Sequence, residues 1–427
     1  MRNFRDFLSK FEGLLAAARK KAGSHPGTSA TRTTRLRELT GFGANPGKLR
    51  MFAYAPEALP HEAPLVIALH GCTQTAAEYD QGTGWSSLAD NLGFAVVYPQ
   101  QQPANNPKNC FSWFLPADIA RGHGEALSIR EMVEHAIATF GIDRRKVFVT
   151  GLSAGGAMAS VMLATYPEVF AGGAIVAGLP YGCASNIQQA FEAMFTENGH
   201  AAQALGDRVR AASGHRGPWP KISVWHGTCD AIVNPCNGES LIRQWTNVHG
   251  LSEIPARQES VEGHTRRVWT DANGEALIEA FSISGMAHGV PLATTKDGCG
   301  SAGAFFLDAG ISSTHHIARF WRLHESLAVA PRAAPPVPAS VRIPTKAGSV
   351  VVVAAPAEDV HGSARGSHAE GQEHQNRYPV DPNAVIAAAF KAAGLPVPEI
   401  PAAAPGTHSA VAPGPIIAAA LKAAGLT

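Results

Sequence analysis

The 427-residue sequence predicts an α/β fold: a mostly parallel sheet covered by helices on both faces. Two observations carry this. Short apolar runs alternate with helix-like stretches from about residue 41 to residue 326. The runs are almost unbroken, as expected of strands buried on both faces rather than one.

Taken in order, the candidate strands are "PLVIALHG" (64–71), "GFAVVYPQ" (93–100), "KVFVTG" (146–151), "GGAIVAG" (172–178), "KISVWHG" (221–227) and "ALIEAFSI" (276–283). The stretches "GWSSLADNLG", "EALSIREMVEHAIATFG" and "SLIRQWTNVHG" lie between them with helical character. Ahead of this domain, residues 1–23 place Phe4, Phe7, Phe11, Leu14, Leu15 and Ala18 at helical spacing, with a basic end at Arg19, Lys20 and Lys21. That is an amphipathic helix. Asp6 and Glu12 interrupt the apolar core that a secretory signal needs. Residues 24–40 read as a polar linker.

Beyond the domain, residues 327–427 form a Pro/Ala-rich tail expected to be disordered; residues 331–427 hold 14 of the 30 prolines and little to bury. Two islands interrupt it, "VIAAAFKAAGL" (385–395) and "IIAAALKAAGL" (416–426), which agree at nine of eleven positions. Each is an Ala-rich helix pattern closed by glycine. Such short helices are marginal alone in water, so the pair reads either as docking motifs or as a duplicated low-complexity fragment.

The bulk composition excludes several classes. With 35 basic against 34 acidic residues, the chain has no electrostatic footprint for nucleic acid. No segment approaches the ~20 apolar residues of a membrane-spanning helix. Six cysteines lie at 72, 110, 183, 229, 236 and 299, without the paired spacings of a zinc site. An even count permits disulfides, whose connectivity the sequence leaves open. Disulfides favour an oxidising compartment, whereas the absence of a recognisable signal favours the cytoplasm.

The chemistry concentrates in "VFVTGLSAGGAMASVML" (147–163): an apolar strand, a glycine-flanked serine and a helix, in that order. This is the G-x-S-x-G pattern of the nucleophile elbow in α/β hydrolases, with Ser153 at the tip. A glycine-rich turn whose serine merely caps a helix is the competing reading. Partners downstream decide between them, because a serine hydroxyl needs a histidine base, and the histidine needs a carboxylate. The chain order in this fold is Ser, Asp or Glu, then His. Asp230 follows a strand in "ISVWHGTCDAIV", and His288 lies in a small-residue loop, "FSISGMAHGVPL". Asp271 reads as a turn residue, and Asp207, Asp297 and Asp308 lack a preceding strand. His226 reads as local support, and His249, His264, His315 and His316 as surface or helix residues. An acyl-transfer site also needs N–H donors for the oxyanion. The backbone N–H groups of Ala154, after the nucleophile, and of Cys72 in "VIALHGCTQ" fit that need. No metal or organic cofactor is called for.

With these residues in place, "LHGCTQTAAEYD", "GWSSLADNLGFAVVYPQQ", "CFSWF", "VFVTGLSAGGAMA", "HGTCDAIV" and "GMAHGV" resemble the polyhydroxybutyrate depolymerase family of esterases. Secreted feruloyl and acetylxylan esterases are among its relatives. The resemblance covers roughly residues 40–325. It implies an α/β-hydrolase fold, triad roles for Ser153, Asp230 and His288, oxyanion roles for Cys72 and Ala154, and an extracellular setting. It further implies an ester substrate, either a polyhydroxyalkanoate or a carbohydrate-linked acyl group. A non-catalytic binding module of the same fold is the remote alternative. Trp85, Phe111, Trp113, Phe114 and Tyr181 are candidates for an apolar shelf under the substrate. The terminal helices are candidates for holding a hydrophobic polymer granule.

Overall fold

In the computed structural model, residues 34–324 are described, apart from 197–198 and 297–298, together with Gly13. The amphipathic segment at the start, the Pro/Ala-rich tail and its twin repeats therefore lie outside the described residues.

The apolar runs pair as the centre of one ten-stranded sheet in the order β1-β2-β4-β3-β5-β6-β7-β10-β9-β8. Its strands are β1 (Arg37–Leu39), β2 (Arg50–Tyr54), β3 (Ala63–Leu69), β4 (Ala95–Gln100), β5 (Ile142–Leu152), β6 (Gly172–Val176), β7 (Lys221–Gly227), β8 (Arg257–Val261), β9 (His264–Thr270) and β10 (Ala276–Ile283). The central strands, from β4 through β3, β5, β6 and β7 to β10, are all parallel. Antiparallel pairs occupy the two flanks. A parallel arrangement forces each crossover over a face of the sheet, and helices bury both faces. This is why β3 and β6 are buried along their whole length. A separate short pair, β11 (Val290–Leu292) and β12 (Phe306–Asp308), follows β10.

The helices are α1 (Ala76–Thr83), α2 (Trp85–Leu92), α3 (Pro116–Ile119), α4 (Gly124–Phe140), α5 (Ala154–Thr165), α6 (Ile187–Phe195), α7 (Ala202–Ala212), α8 (Cys236–His249) and α9 (Ser313–Phe320). Most of their boundaries follow from local chemistry. Thr75 and Glu78 form a reciprocal capping box at the start of α1. Left-handed glycines end α1, α2, α4 and α8, at Gly84, Gly93, Gly141 and Gly250. Helix α5 is buried at every position, so it lacks the polar stripe of a surface helix.

Two expectations change. The segment expected as linker, residues 24–40, ends in strand β1, which pairs with β2 at the edge of the sheet. His264, expected on the surface or a helix, opens strand β9 and is buried, with Nε2 2.9 Å from the Ala309 carbonyl oxygen.

Candidate active site

Parallel strands place all their carboxyl ends on one edge, so the loops that leave β3, β4, β5, β7 and β10 converge there. Ser153 stands at the tip of the β5–α5 turn with φ 58° and ψ −119°. That is strained backbone for a residue with a side chain, and the surroundings hold it. Its N–H donates to the Val176 carbonyl (2.9 Å), and its carbonyl accepts from the Ala157 N–H (2.8 Å). The glycines are a packing requirement. A Cβ on Gly151 would lie 2.3 Å from the Gly155 carbonyl oxygen, and one on Gly155 would lie 2.3 Å from that of Leu69. The turn thus presses directly on the end of β3, where the loop that carries Cys72 begins.

The structure brings Asp230 and His288 together. His288 Nδ1 lies 2.7 Å from Asp230 Oδ2, and both side chains are buried. The loops carrying them are joined by backbone: the Cys229 N–H donates to the Met286 carbonyl (3.0 Å) and the Thr228 N–H to that of Ile283 (3.0 Å). Gly227 makes this approach possible, since a Cβ there would lie 2.3 Å from the Met286 oxygen. Asp230 Oδ1 accepts the N–H groups of Ile232 and Val233, each at 2.9 Å. His226 adds a second imidazole to the acid, with Nε2 2.8 Å from the Val233 carbonyl and 3.3 Å from Asp230 Oδ2. Burial alone would raise the Asp230 pKa, but His288 and His226 outweigh it and hold the carboxyl well below the ordinary carboxylate range. Asp230 is therefore an ionised acceptor, and it directs the Nδ1 proton of His288 toward itself. With Nδ1 as the donor, the lone pair of the neutral ring lies on Nε2. Among the described residues no hydrogen bond joins Ser153 to His288, a contact that commonly tightens only when substrate binds.

The loop after β3 shows a selective use of its amides. The Gly71 N–H donates to Gln74 Oε1 (2.7 Å). The Thr73 N–H donates to the Lys108 carbonyl (2.6 Å), and the Gln74 N–H to that of Gly71 (3.3 Å). No acceptor among the described residues takes the Cys72 N–H between them. At the elbow, the Ala154 N–H is the first of α5 and has no intrahelical partner. The Cys72 side chain is bonded to Cys110, which ties this loop to the segment after β4. Of the remaining cysteines, Cys229 is exposed, while burial pushes the Cys183 thiol up to about 12.

The aromatic candidates divide. Trp85 is not on the site's surface: it is 1% exposed, stacked on Trp321 at 5.9 Å and edge-on to Phe94, so it belongs to the core. The stretch is helical, as its pattern predicts, but its tryptophan turns inward. Phe111 is fully buried against the His70 ring. Trp113 is also buried, with its ring edge-on to Phe114 at 5.3 Å. Phe114 and Tyr181 keep partial exposure. The sequence reading missed Gln74, whose amide holds Gly71, and Phe305, whose ring meets that of His288 edge-on at 6.0 Å. Gln74 lies within the quoted "LHGCTQ" and was findable. Phe305 follows a loop of small residues and carries no local signal.

Residues 50–268 match the family described as esterase PHB depolymerase. The chain is 48% identical over 289 residues to poly(3-hydroxyalkanoate) depolymerase C of Paucimonas lemoignei, covering 67% of this chain and 70% of that protein. It is 37% identical over 268 residues to an acetylxylan esterase of Coprinopsis cinerea, covering 61% and 71% of the two chains. Among solved structures, acetyl xylan esterase from Aspergillus awamori superposes with a TM-score of 0.55 at 28% identity, covering 59% of this chain and 93% of that one.

Proposed function

The chain belongs to the PHB depolymerase family of esterases and is a carboxylic ester hydrolase, and from that premise we propose that it cleaves poly(3-hydroxybutyrate) or related polyhydroxyalkanoates. The similarity to the depolymerase from Paucimonas lemoignei supports the polyester substrate. One observation supports the mechanism above the others: His288 is oriented by Asp230, on loops leaving the same sheet edge as Ser153.

In this reading His288 Nε2 takes the proton of Ser153 Oγ as the oxygen attacks the ester carbonyl carbon. The oxyanion is held by the N–H groups of Cys72 and Ala154. The tetrahedral intermediate then expels the alcohol, which leaves with the proton from His288. Water attacks the acyl-serine by the reverse proton path, releases the acid and restores the serine. Phe114 and Tyr181, the partly exposed aromatics, line the approach for the acyl chain. The buried Trp113 ring packs edge-on against Phe114.

The similarity to the acetylxylan esterase favours one second reading, removal of acyl groups from a carbohydrate by the same triad. Incubation with amorphous polymer granules and, in parallel, with acetylated xylan separates the two. Release of 3-hydroxybutyrate without acetate is the expected outcome, and acetate without 3-hydroxybutyrate would replace the polyester reading.

The terminal segments extend the proposal to the polymer surface. The apolar spacing within residues 1–23 and in the repeats 385–395 and 416–426 supports a role in granule attachment. A chain ending at residue 326 is expected to sediment with granules less than the full chain does. Equal sedimentation would refute this role for the tail.

A further inference from the structure

A buried carboxylate that takes no part in the triad stands under the oxyanion loop. Glu125 lies in the first turn of α4, at the edge of the sheet where the catalytic loops gather, and is 2% exposed. Its two oxygens face two different donors. Oε1 accepts from the Gln101 side-chain amide at 2.6 Å, and Oε2 from the Ser112 N–H at 2.8 Å. These donors are the two ends of the loop that leaves β4. Gln101 spreads the connection further. Its Oε1 accepts from the Gln102 N–H (2.9 Å) and the Asn105 amide (2.7 Å), and its own N–H donates to His70 Nε2 (3.1 Å).

The same loop is fastened to the oxyanion segment at three more points. The Cys72–Cys110 disulfide joins them covalently, the Thr73 N–H donates to the Lys108 carbonyl (2.6 Å), and Phe111 packs on the His70 ring at 4.9 Å. His70 has Nδ1 2.8 Å from the Gly71 carbonyl, and burial keeps it neutral by pulling its pKa down to about 4. It therefore donates at Nδ1 and accepts at Nε2. The path from Glu125 to the Cys72 amide is continuous through Gln101 and His70, and again through Ser112 and Cys110.

We propose that Glu125 is a positioning residue for ester hydrolysis, setting the Cys72 N–H and the Trp113–Phe114 segment in register with Ser153 through the loop it anchors. The proposal rests on the triad and oxyanion reading given above. Burial raises the Glu125 pKa to about 7, so the structure keeps a costly carboxylate where an amide of equal size would be cheaper to bury. The two opposed donors account for its retention, since a carboxylate accepts on both oxygens and an amide on only one.

Glu125→Gln is the direct test. The substituted amide accepts from one donor and must turn its NH₂ toward the other. If it faces Gln101, a flip of Gln101 would only move the conflict to Gln102 and Asn105. With a short-chain chromogenic ester, kcat is expected to fall about 10- to 100-fold while KM stays within about twofold, because oxyanion contacts form in the transition state. The midpoint of thermal unfolding is expected to shift little, because removing a partly ionised buried carboxyl offsets the donor left without an acceptor. A merely structural role would show the opposite, a lowered midpoint with kcat unchanged, and that result would overturn the proposal. The exchanged pair Gln101→Glu with Glu125→Gln restores a carboxylate–amide contact of reversed direction but loses the 3.3 Å bond from the Gln101 amide to the Cys110 carbonyl, and is expected to recover part of kcat. An exchanged pair as slow as the single variant would equally overturn it. Wild type and Ser153→Ala assayed alongside keep the two levels apart. If Ser153→Ala retains activity the triad reading itself fails, whereas a silent Glu125→Gln beside an inactive Ser153→Ala removes only this proposal.

Discussion

Ser153→Ala is expected to lower kcat by about 10⁶-fold on both polymer granules and a soluble chromogenic ester, the scale seen when a serine nucleophile is removed from a triad. The fold should be untouched. Ser153 occupies φ 58° and ψ −119°, and alanine carries the same Cβ, so the substitution adds no backbone strain. Its N–H to Val176 and its carbonyl to Ala157 belong to the main chain and survive as well. Loss of activity with an unchanged unfolding midpoint therefore isolates the hydroxyl. The complementary measurement is covalent labelling by an active-site phosphonate, expected at Ser153 in wild type and absent from the variant. A variant retaining more than about one-hundredth of wild-type kcat would show that another group attacks the ester.

The elbow was legible in the sequence because its geometry has few solutions. A strand-to-helix turn this sharp needs glycine wherever a Cβ would strike backbone, as at Gly151 and Gly155. The central strands were legible for a related reason: burial on both faces leaves almost no polar positions. The flanks were not. Strand β1 has only three residues, two of them exposed, and β8 and β9 mix charged residues into antiparallel edge pairs. Such strands are specified by their neighbours rather than by their own composition. Strand β5 also begins at Ile142, earlier than its apolar run, because Asp143, Arg144 and Arg145 precede the buried stretch. Within the site, Asp230 and His288 could be named from chain order, since topology fixes which loops meet. The direction of a single side chain could not. Trp85 and Phe114 look alike as aromatics beside a turn, yet one is core and the other half-exposed. Glu125 had no signal at all, because an acidic residue in the first turn of a helix is ordinary until its burial is known.

Asp230→Asn tests the orientation of the base, and the hydrogen-bond pattern dictates the result. In wild type Oδ1 accepts two backbone N–H groups, from Ile232 and Val233, while Oδ2 faces His288 Nδ1 and His226 Nε2. All four partners approach an acceptor. Asparagine has one oxygen, and the two backbone donors cannot turn away, so that oxygen stays with them. Its NH₂ then points at His288 Nδ1, which must become an acceptor, and the ring proton moves to Nε2. A histidine protonated at Nε2 cannot take the proton of Ser153, and kcat is expected to fall about 10⁴-fold at neutral pH. Substrate binding should change little, since Asp230 is buried behind the histidine. The two imidazoles also make part of the wild-type stability depend on pH. Because Asp230 titrates below the ordinary aspartate range, its contribution to stability is fully present above that range and is lost only as pH falls beneath it. Asparagine removes this dependence, so the variant's stability should decline less steeply in acid than that of wild type. Unfolding midpoints across the acid range, measured with kcat for both proteins, check the two consequences together. A loss of less than about tenfold in kcat would mean that His288 keeps its tautomer without Asp230. The His226 contact, the one other side chain on that carboxylate among the hydrogen bonds and ion pairs described, then offers no substitute, because His226 presents its donor to Val233 rather than to His288.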